Sequence, residues 1–219
     1  MEKKISGVPE PTLRRLPLYY HYLKTMLNRG REHISCTHIG KALLLESVQI
    51  RKDLAFTGIR GQPRVGYSIL ELINSIGEFF GWNRTDEAFI VGVGHLGRAL
   101  LGYKGFERYG FKIVAAFDKN PKLIGTEING VKVLPVDKLE DLCRRMQVKI
   151  GVITVPENYA QDIADSMVKG GIKAIWNFAP TSLKVNEDII VENEIIASGL
   201  AVLCKRLQQK MQKNQEVVK

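Results

Sequence analysis

Apolar residues recur at three- and four-residue steps over residues 12–29, at Leu13, Leu16, Tyr20, Leu23 and Leu27. That period puts them on one face of a helix. Pro9 and Pro11 suit its opening and Gly30 its end, while Pro17 requires a kink or an early turn. A short helix over 38–45 follows, packing Ile39, Leu43 and Leu44, with Ser35 or Thr37 as its cap. Residues 48–56 form a third helix with Ser47 as N-cap. Its core side is Ile50, Leu54 and Ala55, and Gln49, Arg51 and Lys52 face outward. The segment 57–67 is cut by Gly58, Gly61, Pro63 and Gly66, so Thr57, Ile59, Val65 and Tyr67 are expected in short strands around a tight loop. A helix over 68–80 with Ile69, Leu72, Ile73, Ile76 and Phe79 on one face closes this part, and residues 81–86 mark a boundary. Three helices followed by a basic hairpin is the winged-helix plan.

The period changes after Glu87. Continuous apolar runs at 88–93, 111–117, 131–134, 150–155 and 173–178 read as strands buried on both faces. They alternate with helical segments at 98–103, 138–145 and 160–168, which is the pattern of an open, Rossmann-type parallel sheet. A last strand is expected at 189–191, then a long amphipathic helix over 195–213. That helix carries Ile195, Ile196, Leu200, Leu203, Leu207 and Met211 and needs its own domain or a second subunit to cover it. The fold class is therefore α/β: a winged-helix domain over 1–84, after a short arm at 1–8, a Rossmann-type domain over 85–193, and a C-terminal helix over 194–219.

One run carries recognisable chemistry. Gly92-Val93-Gly94-His95-Leu96-Gly97 leaves an apolar strand and opens a helix. In that setting the first glycine makes the tight turn, the second admits a pyrophosphate, and the third lets helix and strand close. The amides at the helix start then face the phosphates. Asp118 ends the next strand, where a carboxylate accepts from ribose hydroxyls and repels a 2′-phosphate. NAD(H) is thus favoured over NADP(H), although Lys119 weakens the discrimination. Val155-Pro156 and Asn177 end later strands and should line the same crevice, and Tyr103 is close enough in sequence to reach a ring or ribose. His95 either touches the ligand or faces solvent.

Charge qualifies this picture. The chain has 219 residues and a net charge of +9. Residues 1–84 hold 13 Lys and Arg against 7 Asp and Glu, whereas residues 85–204 hold 14 against 15. A basic first third fits a polyanionic partner, or simply a solvated surface. In a helix-turn-helix the second helix enters the major groove. On that plan Gln49 reads adenine, Arg51 and Lys52 read guanine or hold phosphate, Arg60 and Arg64 reach out from the wing, and Ser35 and Lys41 steady the first helix on the backbone. An enzyme is disfavoured: His95 is the one histidine of the second half, and no further catalytic domain remains. Cys36, Cys143 and Cys204 have neither disulfide nor zinc spacing, so no metal is expected. With no apolar run of membrane length and no apolar signal core behind Met1–Lys4, a cytoplasmic protein without a membrane partner is expected. Two other classes stay open on the pattern alone: a small NAD-dependent oxidoreductase with a docking head, and a CoA- or nucleotide-binding scaffold.

The chain also resembles the Rex family of redox-sensing repressors. The resemblance rests on VQIRKDLAFTG at 48–58, GQPRVGY at 61–67, GVGHLGRAL at 92–100, AAFD at 115–118, ITVP at 153–156 and IWNFAP at 175–180, in that order. It implies a homodimer on an inverted-repeat operator in double-stranded DNA. NADH binding releases the DNA and NAD⁺ competes, so that genes of fermentation and respiration follow the NADH/NAD ratio. It implies that the last helix is swapped between subunits, with signalling residues at its start near Ile195. It further implies that Arg15 pairs with Glu194, which stands where the family commonly has Asp.

Overall fold

The computed structural model describes residues 7–217. Of the expected N-terminal arm, residues 1–6 lie outside them. The chain divides into two compact units between Arg84 and Thr85, and each has its own core.

In the first unit, helix α1 (Glu10–Asn28) is unbroken across Pro17. Its apolar face buries Leu16, Tyr19, Leu23 and Met26. Strand β1 (His33–Ile34) leads into helix α2 (Cys36–Leu43), whose N-cap is Ser35: its hydroxyl accepts from the His38 N–H. Helix α3 (Ser47–Ala55) follows. Ser47 is inside it, and Glu46 occupies the N-cap position without a side-chain bond. Strand β2 (Tyr67–Ser68) precedes helix α4 (Ile69–Phe80), which packs on α1. Ile39, Ile50, Leu54, Ile69, Leu72 and Ile76 are fully buried between these helices. The wing differs from expectation. Tyr67 and Ser68 pair antiparallel with Ile34 and His33, not with Thr57 and Ile59. The loop itself is pinned by reciprocal bonds between Gln62 and Gly66. Gly66 is required there: its φ is +93°, and a Cβ would lie 2.5 Å from the Ile34 carbonyl oxygen.

The second unit is built on strands β3 (Asp86–Val91), β4 (Phe111–Asp118), β5 (Glu127–Ile128), β6 (Val131–Pro135), β7 (Ile150–Ile153), β8 (Ala174–Asn177) and β9 (Ile190–Asn193). Helices α5 (His95–Leu101), α6 (Leu139–Met146) and α7 (Glu157–Lys169) connect them, and α8 (Ile196–Val217) follows. The strands lie in the order β5-β6-β4-β3-β7-β8-β9, every pair parallel except β5 with β6. The order reverses at β3, which sits between β4 and β7, and ligands of open parallel sheets bind at such a reversal. Alternate residues of β3 feed two cores: Phe89 and Val91 pack with Phe117, Ile153 and Met167, while Ala88 and Ile90 pack with Ile113, Val133 and Val152. This is the period of two expected of a strand covered on both faces. Helix α8 has no such cover: every side chain from 195 to 212 is exposed. No helix among the described residues is long and apolar enough to cross a membrane.

Candidate nucleotide and nucleic-acid sites

Beyond the carboxyl end of β3 lies a cleft of about 470 Å³. Gly92, Val93, Gly94, Asp118, Lys119, Val155 and Pro156 line it together with Thr154, Tyr159 and Asp162. The three glycines do distinct work. Gly92 turns the chain at a φ of +98°, and a Cβ on it would stand 2.8 Å from the Thr154 carbonyl oxygen. A Cβ on Gly97 would fall on the Gly92 carbonyl, so α5 could not approach the strand. A Cβ on Gly94 would meet nothing within 4 Å. That open space lies at the N-cap of α5, as the expected approach of a pyrophosphate requires. His95 and Leu96 are the first residues of α5, and His95 is exposed.

The loop is held from three sides. Asp118 Oδ2 accepts from the Val93 N–H at 2.7 Å, and Oδ1 accepts from the Asn120 N–H at 2.8 Å. Thr154 Oγ1 contacts the carbonyl oxygens of Gly92 at 2.7 Å and Val91 at 3.1 Å. Arg98 Nε donates to the Val93 carbonyl at 3.1 Å. Asp118 is therefore a structural tie as well as a candidate ribose acceptor. Each of its oxygens keeps a lone pair for a hydroxyl. Lys119 reaches across the mouth, its ammonium 3.7 Å from the centre of the Tyr159 ring. The hydrogen bond and then the charge of that lysine draw the Tyr159 hydroxyl below its ordinary value. Thr154, Arg98 and Tyr159 were not anticipated. Thr154, directly before Val155-Pro156 at a strand end, offered the only signal.

His95, Leu96 and Gly97, at the start of α5, do not line the cleft, and two further anticipated residues lie away from it. Asn177 is fully buried. Its amide nitrogen donates to the Thr181 carbonyl and to Asn193 Oδ1, both at 2.8 Å, and its oxygen accepts from the Ala179 N–H. It locks β8 to β9 and to the following turn, and its full burial keeps it from the cleft. Tyr103 borders a different hollow, with Phe106, Phe111 and Asn129. Near the start of α8, Glu194 Oε1 accepts from the Trp176 indole N–H at 3.4 Å, and Ile195 is exposed.

In the first unit Ser35, Arg51, Arg60 and Arg64 surround a hollow of about 590 Å³ beside the wing. Lys41 and Lys52 are exposed on α2 and α3. Gln49 departs from its expected role. It turns inward, and its amide donates to Asp53 Oδ1 at 2.9 Å. Asp53, fully buried, is the hub of the head. It also accepts from Thr12 Oγ1, from Arg15 Nε and Nη2, and from the Tyr19 hydroxyl, at 2.7–2.9 Å. Burial alone would raise its pKa, but the hydrogen bonds from Arg15, Tyr19, Gln49 and Thr12 outweigh burial and hold it below the ordinary carboxylate value. Arg15 is thus committed to Asp53 within its own unit. An aspartate at the end of an apparently solvated RKD run gave no hint of this.

The order of motifs and the paired architectures can be set against known proteins. Residues 83–181 match a family described as "CoA binding domain", and residues 7–55 one described as "Putative DNA-binding protein N-terminus". The redox-sensing transcriptional repressor Rex of Bacteroides fragilis is 45% identical over 205 residues, covering 94% of this chain and 93% of the relative. That of Treponema denticola is 45% identical over 193 residues, covering 88% and 92%. The chain belongs to the Rex family of redox-sensing transcriptional repressors. Among solved structures, the Rex-family repressor RSP in complex with β-NAD⁺ and operator DNA is similar over 96% of this chain and 97% of its own, at 37% identity and a TM-score of 0.87. RSP in complex with β-NADH gives the same TM-score at 36% identity. A Rex likeness across both units separates this chain from bare CoA-binding domains that share only the second.

Proposed function

We infer that the protein is a cytoplasmic repressor that binds operator DNA as a homodimer and leaves it when NADH is bound. It thereby sets the expression of fermentation and respiration genes by the NADH/NAD ratio. The observation that carries this reading is one chain holding both a basic helix-turn-helix head and a glycine loop tied to Asp118 at the sheet's reversal point. The residues fit a dinucleotide. Gly94 leaves room for the pyrophosphate, Asp118 has free lone pairs for the ribose, and Val155 and Pro156 wall the cleft. Ser35, Lys41, Arg51, Lys52, Arg60 and Arg64 supply the contacts to the duplex.

Control of this kind needs two arrangements of the paired heads, of which only one spans both half-sites. NADH must favour the other. The same coupling then weakens NADH binding when operator is present. The exposed apolar face of α8 finds its cover on the partner subunit, and Arg15 exchanges Asp53 for the partner's carboxylate at the head of α8 as the arrangement changes. The second reading, an oxidoreductase, would call on the Lys119–Tyr159 pair at the cleft mouth as its acid or base, but the likeness to redox-sensing repressors runs over both units and favours the first.

The test is a titration of operator duplex at fixed salt, with and without NADH, since phosphate contacts make the affinity salt-dependent. NADH should weaken binding at least tenfold; an unchanged affinity sinks the sensor reading. A second test separates the two roles of Asp118. Asp118→Asn keeps an acceptor for the Val93 N–H but loses the charge, so it should weaken NADH binding several-fold and narrow the preference over NADPH. Asp118→Ala also unties the loop and should lose binding altogether. Equal NADH affinity in all three proteins would remove Asp118 from the site.

A further inference from the structure

Helix α3 sends its residues in three directions. Ile50 and Leu54 enter the apolar core of the head. Gln49 and Asp53 enter the polar cluster beneath α1. Val48, Arg51, Lys52 and Ala55 remain outward and exposed. Their spacing makes one stripe along the helix. Val48 is the second residue of α3 and is 58% exposed.

In a helix-turn-helix, the first residues of the second helix reach the base edges. The structure gives that place to Val48 and turns its neighbour Gln49 away. A valine side chain has neither donor nor acceptor, so it cannot read hydrogen-bonding groups. The apolar group that the major groove displays is the 5-methyl of thymine. Arg51 and Lys52, one turn further on, fix the sign of the surface being met as anionic. We propose that Val48 packs against the 5-methyl group of a thymine in each operator half-site and so specifies thymine there. The proposal rests on the operator-binding reading above and names one of its specificity-determining residues.

Uracil pairs as thymine does and lacks only this methyl. Burying one such group is worth about fourfold in affinity, and about fifteenfold when both half-sites carry it. The experiment begins with a duplex selected from a random pool by the full-length protein. Thymines are then replaced by uracil, one symmetric position at a time. The unsubstituted chain should lose about fifteenfold at one position. Val48→Ala should bind the unsubstituted duplex more weakly, be indifferent to uracil at that position, and keep the parent's penalties everywhere else. A general weakening of the head would move all positions together and could not produce that pattern. The proposal is overturned if Val48→Ala shows the parent's penalty at every thymine, or if the parent shows none. Failure to select any duplex would be seen earlier, before uracil is introduced, and would overturn operator binding itself.

Discussion

Gly97→Ala is expected to abolish NADH binding and to destabilise the second unit by about 1–3 kcal/mol, the range for forcing a methyl into a filled space. The methyl would occupy the position of the Gly92 carbonyl, with Thr154 Oγ1 at 3.1 Å as the next neighbour. Neither can yield cheaply. Gly92 is at a φ of +98° against the Thr154 backbone, and the Thr154 hydroxyl already bonds the Gly92 carbonyl. Helix α5 must therefore back away from β3, and the amides at its start leave the place where phosphates are held. Gly94→Ala is the contrast. Its methyl enters open space, so the fold should keep its stability while affinity falls because the methyl stands where the pyrophosphate would approach. Urea unfolding and fluorescence titration with NADH distinguish the two. If Gly97→Ala binds NADH normally, the helix–strand contact does not set the site.

The second large effect belongs to the head. Asp53→Ala removes the acceptor of five hydrogen bonds and strands Arg15 beside the core. Breaking a buried ion pair from one side costs about 3–5 kcal/mol, a large share of the stability of a unit this small. Duplex binding should disappear, while NADH binding in the second unit persists. Asp53→Asn should be intermediate, because it keeps acceptor capacity on one atom but turns a donor toward Arg15. The linkage has a definite sign. The folded pKa of Asp53 lies below its ordinary 3.8, so its stabilisation is complete above that value and is lost as pH falls through the lower folded value. Acid unfolding followed at the head, with Asp53→Asn as reference, measures this contribution. If Asp53→Ala leaves the melting of the head unmoved, the hub is not what fastens α3 to α1.

What could be foreseen follows from the range of the interactions. The strands of the second unit are apolar runs between helical segments, and the glycine spacing with Asp118 is a short-range pattern, so sheet and nucleotide loop were legible from order alone. The failures are side chains whose direction depends on a distant partner. Gln49 and Asp53 stand in a run that looks solvated, and only the approach of Thr12, Arg15 and Tyr19, 34 to 41 residues away, turns them inward. Asn177 ends a strand as a ligand residue would, but the later β9 brings Asn193 to it and consumes its amide. The wing was misread for a related reason: β2 finds its partner in His33–Ile34, a segment with too few residues to announce a strand.

Helix α8 spans 22 residues and presents Ile196, Leu200, Leu203, Leu207 and Met211 to solvent in a single chain. If, as proposed above, a second copy covers this helix, the protein is sensitive to its own abundance. The paired form grows with the square of the free chain at low amounts, so operator occupancy should rise more steeply than protein level, and melting temperature should climb with concentration. On that reading, repression has a dosage threshold. A cell that dilutes the chain by growth can release its target genes without any change in the nicotinamide pool.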